Sequence, residues 1–549
     1  MKTLNIYLDR LIGENTDCFE WIRPLGESAG KIAVTGICRD NRKVEPGNLF
    51  VCIKGVHFDT HTCLKAVEAA GAVLALIDSE ADLSGLSGAM AILRVPNTRA
   101  AEALLECEWY DDPAKKMKTV IGITGSKGKT TITHMIADIL RENGNNVGTI
   151  GSNGAIFGSH LFELANTTPD ADEIQKYLQM MVEAGCDTVV MECSSQGLMQ
   201  HRLDGITFDY GIFTNISAGD HVSPIEHKSF GEYLACKSIL LQNSRKVIAY
   251  SGDIHIDAMM KKIGGDDGVI FYGRHEKEPS EFWVERELIG KCADAESGLC
   301  ILEGRNGDCE LIGSNNDSYF TTSSSVVTDE NGEPVQKFTV CDKVGNTSEF
   351  CTNLPGDFNV TNALCAISLC RELGVGDETM NRALTSLSIS GRMEMVYESD
   401  KFRVCVDFAH NGYSTRKLLT ALREYSPERL ICIFGADGNR SISRRTQMGE
   451  ASGRLADLSI VTSGHNRWES FEAISKDILE YLIPTGGAYK VIKDRKEAIR
   501  YVIANVKQGD LITIIGMGHE HYQEENGVKT PYSDKDFVLQ VIKEAGYEI

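Results

Sequence analysis

Residues 118–144 read KTVIGITGSKGKTTITHMIADILRENG. An apolar strand, a glycine-rich loop and an amphipathic helix follow one another here, the unit from which parallel α/β sheets are built. The loop is GITGSKGKTT, residues 122–131. Glycines at 122, 125 and 128 let backbone amides approach phosphate oxygens without side-chain obstruction. The helix N-terminus adds a favourable positive potential. Lys129 can reach the β- and γ-phosphates, and Thr130 can offer its hydroxyl to Mg2+. Gly125, Ser126, Lys127, Gly128, Lys129, Thr130 and Thr131 are therefore candidate ATP-binding residues. Counted from Gly125 the loop is shorter than the simplest phosphate-loop pattern, and counted from Gly122 it matches that spacing loosely. The plain alternative is an ordinary strand-to-helix turn; the flanking strand and helix weigh against it. A kinase, a hydrolase and a ligase can all carry this loop, so it does not name the reaction.

Around this unit the chain of 549 residues is too long for one core, and roughly 150 residues per domain suggests three or four. Residues 1–112 read as a small α/β unit, with strands in KIAVTGICRD, GNLFVCIKG and AVLALID and a helix in HTCLKAVEAAGA. EWYDDPAKKM reads as a polar linker. Residues 113–390 hold the loop and further alternating elements, with a β meander expected from FWVERELIG and KFTVCDKVG. Residues 391–549 begin a new alternation: FRVCVDFAH, LLTALREY, LICIFGA, LADLSIVTSG and DLITIIGMG. The expected fold class is α/β in three domains: an N-terminal α/β domain, a central phosphate-loop domain with a parallel sheet and inserted meander, and a C-terminal Rossmann-like domain. A net charge of -22 argues against a nucleic-acid partner. No apolar run approaches the ~20 residues of a membrane helix, and the N-terminus lacks a signal-peptide pattern. The 17 cysteines are scattered without a CxxC pair, which fits reduced cytoplasmic thiols.

A second cluster lies downstream of the loop. DTVVMECSSQ reads as a buried strand ending in Glu192, a position that suits a magnesium ligand or, more plainly, a salt-bridged acid. GIFTNISAGDHVSPIEHKSFGEYLACKSILL holds a strand ending at Thr214 and Asn215, then Asp220, His221 and His227, then Lys237 on a helix. By periodicity alone His221 reads as a core histidine and Lys237 as a solvated surface charge.

GITGSKGKTT, MECSSQGLMQHR, TNIS with DH, EYLACK, LPGDFNVTNAL, GRMEMV, VDFAH and GMGHE occur in the order seen in Mur ligases, and the chain resembles that family over nearly its whole length. The match is closest to the branch that makes a UDP-N-acetylmuramoyl tripeptide. The resemblance implies that the three domains hold the UDP-sugar, ATP and the incoming amino acid in turn. It implies phosphorylation of a peptide carboxylate by ATP with Mg2+, then attack by an amine. It assigns Lys129 and Thr130 to phosphate and metal, and Glu192 and His221 to magnesium. Lys237 matches a lysine that is carbamylated in the family. Asn41, Asn166, Thr167, Thr168, Ser194, Gln200 and Arg202 match positions that grip the UDP-muramyl dipeptide. Asn359, Arg392 and Asp407 match nucleotide contacts brought in by domain closure, and Arg440, Arg467, Gly516 and Glu520 match the amino-acid site. A cytoplasmic monomer is expected.

Departures from the family pattern bear on the amino acid. A DSR triplet is Asp40-Asn41-Arg42 here, SSH is Ser194-Ser195-Gln196, and Ala218-Gly219 stand where one residue is usual. The DNPR of diaminopimelate-adding members is Gly464-His465-Asn466-Arg467, and GMGHE has Met517 where lysine is common. SSQ, DHVSPIEH and the AHN after VDF resemble lysine-adding members, so L-lysine is favoured over meso-diaminopimelate. The alternatives are a divergent ligase of the folylpolyglutamate or cyanophycin synthetase kind acting on another carboxylate, a regulatory scaffold, and a phosphate-loop kinase. The kinase leaves the third domain unexplained.

Overall fold

The computed structural model describes residues 2–13, 18–24, 29–55, 58–217, 226–274, 319–329, 334–342 and 345–548. The chain forms two compact units. The first is Met1–Ile248, Asp257–Gly265 and Leu373–Val375, and the second is Ala249–Ile256, Asp266–Glu372 and Gly376–Ile549.

The first unit opens with β1 (Glu20–Arg23), β2 (Gly36–Cys38), β3 (Asn48–Val51), β4 (Leu74–Ile77) and β5 (Ala91–Arg94). Their order is β1-β5-β4-β3-β2, parallel except for β1 at the edge. NLFV and LALI are wholly buried, as parallel strands covered on both faces must be. Leu49, Val51, Leu74 and Leu76 pack with residues of the helices Leu4–Ile12 and Thr98–Trp109. Phe50, Ala75 and Ile77 pack with Leu64 and Val67 of another helix, so alternate residues feed opposite layers. The stretch EWYDDPAKKM is not a linker. It finishes a helix at Trp109, turns through left-handed Asp111 and Asp112, and forms a 3-10 turn over Pro113–Lys116, where Pro113 suits the first position because its missing N–H is not needed there.

The same unit then holds β6 (Thr119–Thr124), β7 (Val147–Gly151), β8 (Gly154–Phe157), β9 (His160–Phe162), β10 (Thr188–Glu192), β11 (Phe208–Phe213) and most of β12 (Ser244–Tyr250) in a larger sheet. The order is β12-β11-β6-β10-β7-β8-β9. The strands β11, β6, β10 and β7 are parallel, so their C-terminal ends, and the loops that leave them, share one edge. The helix Lys129–Glu142 after β6 buries Ile132, Met135, Ile136, Ile139 and Leu140, the spacing of one helical face. It ends at Asn143, followed by Gly144 in the left-handed region at φ 90°.

In the second unit β13 (Ile270–Arg274) pairs in parallel with β14 (Tyr319–Thr328). β14, β15 (Pro334–Cys341) and β16 (Thr347–Thr352) form an antiparallel meander, which includes the KFTVC run. FWVERELIG lies outside the described residues. A six-stranded sheet follows, from β17 (Glu394–Glu398), β18 (Phe402–Asp407), β19 (Arg429–Phe434), β20 (Leu458–Val461), β21 (Tyr489–Val491) and β22 (Asp510–Ile515). Its order is β17-β18-β22-β19-β20-β21, parallel except for β17. Ile431, Ile433, Ile460, Ile512 and Ile514 are buried in its core. Each contributes about 1.5–3 kcal/mol by leaving water. A hairpin of β23 (Tyr522–Glu525) and β24 (Val528–Pro531) follows β22.

Candidate active site

The loop between β6 and its helix is clamped by the end of β11. Ser126 N–H donates to the Asn215 carbonyl at 2.8 Å, and Lys127 N–H donates to Asn215 Oδ1 at 2.9 Å. Thr214 Oγ1 and Asn215 Nδ2 both donate to the Lys127 carbonyl, at 2.7 and 3.1 Å. Gly125 has φ 153°, and a Cβ there would stand 1.8 Å from Thr214 Oγ1, so only glycine fits. Gly128 has φ 87° immediately before the helix. Lys129 Nζ donates to the Gly125 carbonyl at 2.8 Å, over the loop. Thr131 is buried on the same helix. The sequence pointed to the loop but not to the part that Thr214 and Asn215 play in shaping it; their place at a strand end was the available signal.

Glu192 is 1% exposed at the end of β10, and parallel pairing sets it beside Ile123 of β6. It accepts from Thr130 Oγ1 at 3.0 Å and from Ser152 N–H at 2.8 Å. A Cβ on Gly151 would come within 2.3 Å of Glu192 Oε1, so the carboxylate needs glycine at that position. A buried anion ringed by a hydroxyl and a backbone amide suits a divalent cation beside phosphate. Among the described residues no group of three His, Cys, Asp or Glu forms a metal cage. The described groups there that fit Mg2+ are the Glu192 carboxylate and the Thr130 hydroxyl. His221 lies outside the described residues.

Lys237 is 1% exposed on the helix Phe230–Gln242, not the solvated charge that periodicity suggests. Its Nζ stands 4.7 Å from the centre of the Tyr233 ring, and the Tyr233 hydroxyl is 2.8 Å from Ser126 Oγ. Lys237 is thus within one side chain of the phosphate loop. His227 Nε2 pairs with Ser195 Oγ at 2.9 Å, with its ring centre 5.0 Å from that of Tyr233. Burial pushes the Cys193 thiol well up; Glu192 adds to the shift, and Lys129 and Lys237 oppose it.

Next to Glu192 lies the expected peptide-gripping group. Thr168 Oγ1 donates to the Glu192 carbonyl at 2.8 Å and accepts Ser194 N–H at 2.9 Å. Thr167 Oγ1 is 3.1 Å from Ser152 Oγ. Arg202 donates to the Thr168 carbonyl and to Gln200 Oε1, at 2.6 and 2.8 Å, and pairs with Asp170 at 3.0 Å. Asp170 also meets Arg39 at 2.6 Å, two residues before Asn41. Asn166 is exposed and Asn41 half-buried.

In the second unit Asn359, Arg392 and Asp407 lie around Met393. Asn359 Nδ2 meets Met393 Sδ at 3.5 Å, and Met393 N–H donates to Asp407 Oδ2 at 2.8 Å. The Arg392 guanidinium stacks 4.7 Å from the centre of the Phe408 ring. Burial pushes the Asp407 carboxyl up, opposed by Arg392 and by the amides of Met393 and Ala409.

The other group gathers at the C-terminal ends of β19, β20 and β22. Arg467 takes left-handed backbone at φ 52°, a strained state for a long side chain. Its guanidinium is 3.5 Å from Asp437 and 3.9 Å from Glu524. His465, 3% exposed, accepts Glu524 N–H on Nδ1 at 3.1 Å, which leaves Nε2–H to donate to Glu520 at 2.8 Å. Burial pushes the Asp437 carboxyl up; His465 and Arg467 oppose this and Glu520 adds to it. Gly516, at φ 109°, donates its N–H to the Asp407 carbonyl at 3.2 Å, and Arg440 is exposed. Asp437 and Glu524 were not singled out in the sequence, and His465 only as a departure from the DNPR pattern, because only the fold brings three strand ends together.

Residues 123–316 match the Mur ligase middle domain, and residues 391–518 the Mur ligase, glutamate ligase domain. The UDP-N-acetylmuramoyl-L-alanyl-D-glutamate--2,6-diaminopimelate ligase of Caldanaerobacter subterraneus subsp. tengcongensis is 32% identical over 515 residues, 94% of this chain and 96% of the relative. The chain belongs to the Mur ligase family. The enzyme of the same name from Aquifex aeolicus is 33% identical over 511 residues, 93% of this Mur ligase and 94% of that chain. A solved diaminopimelate ligase structure superposes with TM-score 0.61 at 24% identity, covering 96% and 98% of the two chains. A MurF ligase from Thermotoga maritima in complex with ADP gives 0.54 at 16%, covering 92% and 97%. Both likenesses speak to the fold. As a Mur ligase the protein is an ATP-dependent, amide-forming enzyme of peptidoglycan synthesis. No described helix is long and apolar enough to cross a membrane.

Proposed function

We propose that this Mur ligase joins 2,6-diaminopimelate to UDP-N-acetylmuramoyl-L-alanyl-D-glutamate in the cytoplasm, as a monomer. The observation that carries the choice of amino acid is the mixed charge around Arg467. Arg467 stands beside Asp437 and Glu524, and Glu520 also acts on Asp437. The far end of diaminopimelate bears a carboxylate and an ammonium, and this set offers a partner to each. Lysine has only an ammonium there, and would bring no carboxylate of its own to Arg467, which already meets Asp437 and Glu524. The relatives quoted above are also named for 2,6-diaminopimelate. The leaning toward lysine from the middle motifs therefore ranks below diaminopimelate.

The proposed division of labour is 1–112 for the UDP-sugar, 113–390 for ATP and 391–549 for the amino acid. Asn41, Asn166, Thr167, Thr168, Ser194, Gln200 and Arg202 hold the UDP-linked dipeptide. Gly125 to Thr131, with Asn359, Arg392 and Asp407, contact ATP. Arg440, Arg467, Gly516 and Glu520 hold the amino acid. Thr130, Glu192, His221 and carbamylated Lys237 would hold Mg2+, which would screen the phosphate charge. Lys129 neutralises charge on the phosphate being transferred. A carboxylate is a poor electrophile, and its phosphorylation supplies a leaving group. The amine then forms the amide bond as phosphate departs. The test is ADP release with the UDP-linked dipeptide and a panel of diaminopimelate, lysine and ornithine. Diaminopimelate should give the highest kcat/KM. Faster turnover with lysine would overturn the choice of amino acid, and ADP release indifferent to the dipeptide would overturn the reaction.

A further inference from the structure

Behind the residues around Arg467 lies a polar cluster that the reaction does not touch. Arg495 and Asp534 have side chains 1% and 0% exposed. Arg495 Nε and an Nη atom donate to the two oxygens of Asp534, each at 2.7 Å, a bidentate pair. The same guanidinium donates to the Ser463 carbonyl at 3.3 Å and to the Ile515 carbonyl at 2.9 Å. Ser463 follows β20 and opens the Gly464–Arg467 turn. Ile515 ends β22 and opens the turn to Glu520. Tyr532 completes the set: its hydroxyl donates to Asp534 Oδ1 at 2.9 Å, and its N–H donates to the His521 carbonyl at 3.0 Å. One buried arginine thus fastens the roots of both turns, while Tyr532 fastens the exit of the second.

Burying an ion pair this deeply is a poor route to stability, since desolvation offsets most of the attraction. Its worth lies in geometry. A guanidinium presents five N–H donors in a rigid plane, so satisfying two carbonyls and a carboxylate together fixes their relative positions. Arg467 sits in strained backbone on one of these turns, and such a conformation persists only where its surroundings over-determine it.

We propose that Arg495, held by Asp534 and Tyr532, is the positioning residue that sets the spacing between Arg467 and Glu520, and thereby the affinity for the amino acid. The proposal rests on the reading that these two turns bind the amino acid. Arg495→Lys keeps the charge beside Asp534 but loses the planar fork; Tyr532→Phe removes one hydrogen bond and keeps the ring. The experiment measures KM for diaminopimelate and for ATP, with kcat and melting temperature, in the full chain. Both variants should raise KM for diaminopimelate, roughly tenfold in Arg495→Lys and less in Tyr532→Phe, with KM for ATP unchanged. Arg467→Ala is the control. If it raises KM for the amino acid while neither positioning variant does, the proposal falls and the reading of the site stands. If Arg467→Ala also leaves that KM unchanged, the site reading falls and takes the proposal with it. A rise in both Michaelis constants together, tracking a lower melting temperature, makes the cluster merely structural and overturns the proposal. Should Arg495→Lys fail to fold, Tyr532→Phe decides alone.

Discussion

At the residue scale, the phosphate loop offers a sharp contrast between a steric and a chemical substitution. Gly125→Ala would place a methyl group 1.8 Å from Thr214 Oγ1, so the Asn215 clamp must shift and the loop with it. Lys129→Ala leaves the Thr214 and Asn215 contacts in place and removes the cation together with its hydrogen bond to the Gly125 carbonyl. Both should lower ADP release on the order of 10³-fold. Gly125→Ala should also weaken nucleotide binding by titration calorimetry, and wild-type affinity there would refute the steric account. For Lys237 the prediction is chemical rescue. Lys237→Ala should lose activity and regain part of it with a short-chain carboxylic acid, because an added anion can replace the carbamate oxygens. Full loss without rescue, in a variant with wild-type melting behaviour, would refute the carbamate. The loop glycines and Lys129 were legible in the sequence because their spacing is local. The burial of Lys237 was not, because β6 and β11, against which its helix packs, are distant in the chain.

At the element scale, the helix Thr98–Trp109 carries two buried acids one turn apart, Glu102 and Glu106. Burial pushes them up to about 7 and about 8. Arg39 pulls both down, whereas Asp172 pushes both up. A glutamate carboxyl in water titrates near 4.5, so the unfolded chain loses these protons well before the folded one. The unfolded state then binds fewer protons, and stability is fully present below about pH 4.5 and drains away as pH rises through about 7 and 8. Glu106→Gln should cancel one share of this loss. Its stabilisation relative to wild type should grow with pH by up to about 1.4 kcal/mol per unit over that window. Urea unfolding at pH 5 and pH 8 would measure it, and an equal effect at both would refute the assignment. Elements themselves were largely readable, because alternating strand and helix patterns mark a parallel sheet. EWYDDPAKKM was misread because its acids and lysines look like solvent-facing loop, although Trp109 and Pro113 are packed ends of two helical turns.

At the scale of the whole molecule, separate cores lie under the five-stranded and larger sheets of one unit and the six-stranded sheet of the other. Eight motifs in order carried the family and the three-domain plan, since order survives where individual positions drift. The amino acid was less legible, because the residues proposed to hold it come from the ends of three different strands. That placement gives ligand binding a local signature. An amino acid held by Arg467 and Glu520 stabilises only conformations that contain both turns, by about 2.7 kcal/mol at a hundred times its dissociation constant. Amide hydrogen exchange can locate this gain. With the UDP-linked dipeptide and a non-hydrolysable ATP analogue already bound, adding diaminopimelate should raise protection in the turns after β20 and β22 and in the β23–β24 hairpin. Arg467→Ala should abolish the increase. A gain confined to Gly125–Thr131, with those turns unchanged, would place the amino acid in the first unit and end the assignment of residues 391–549 to its recognition.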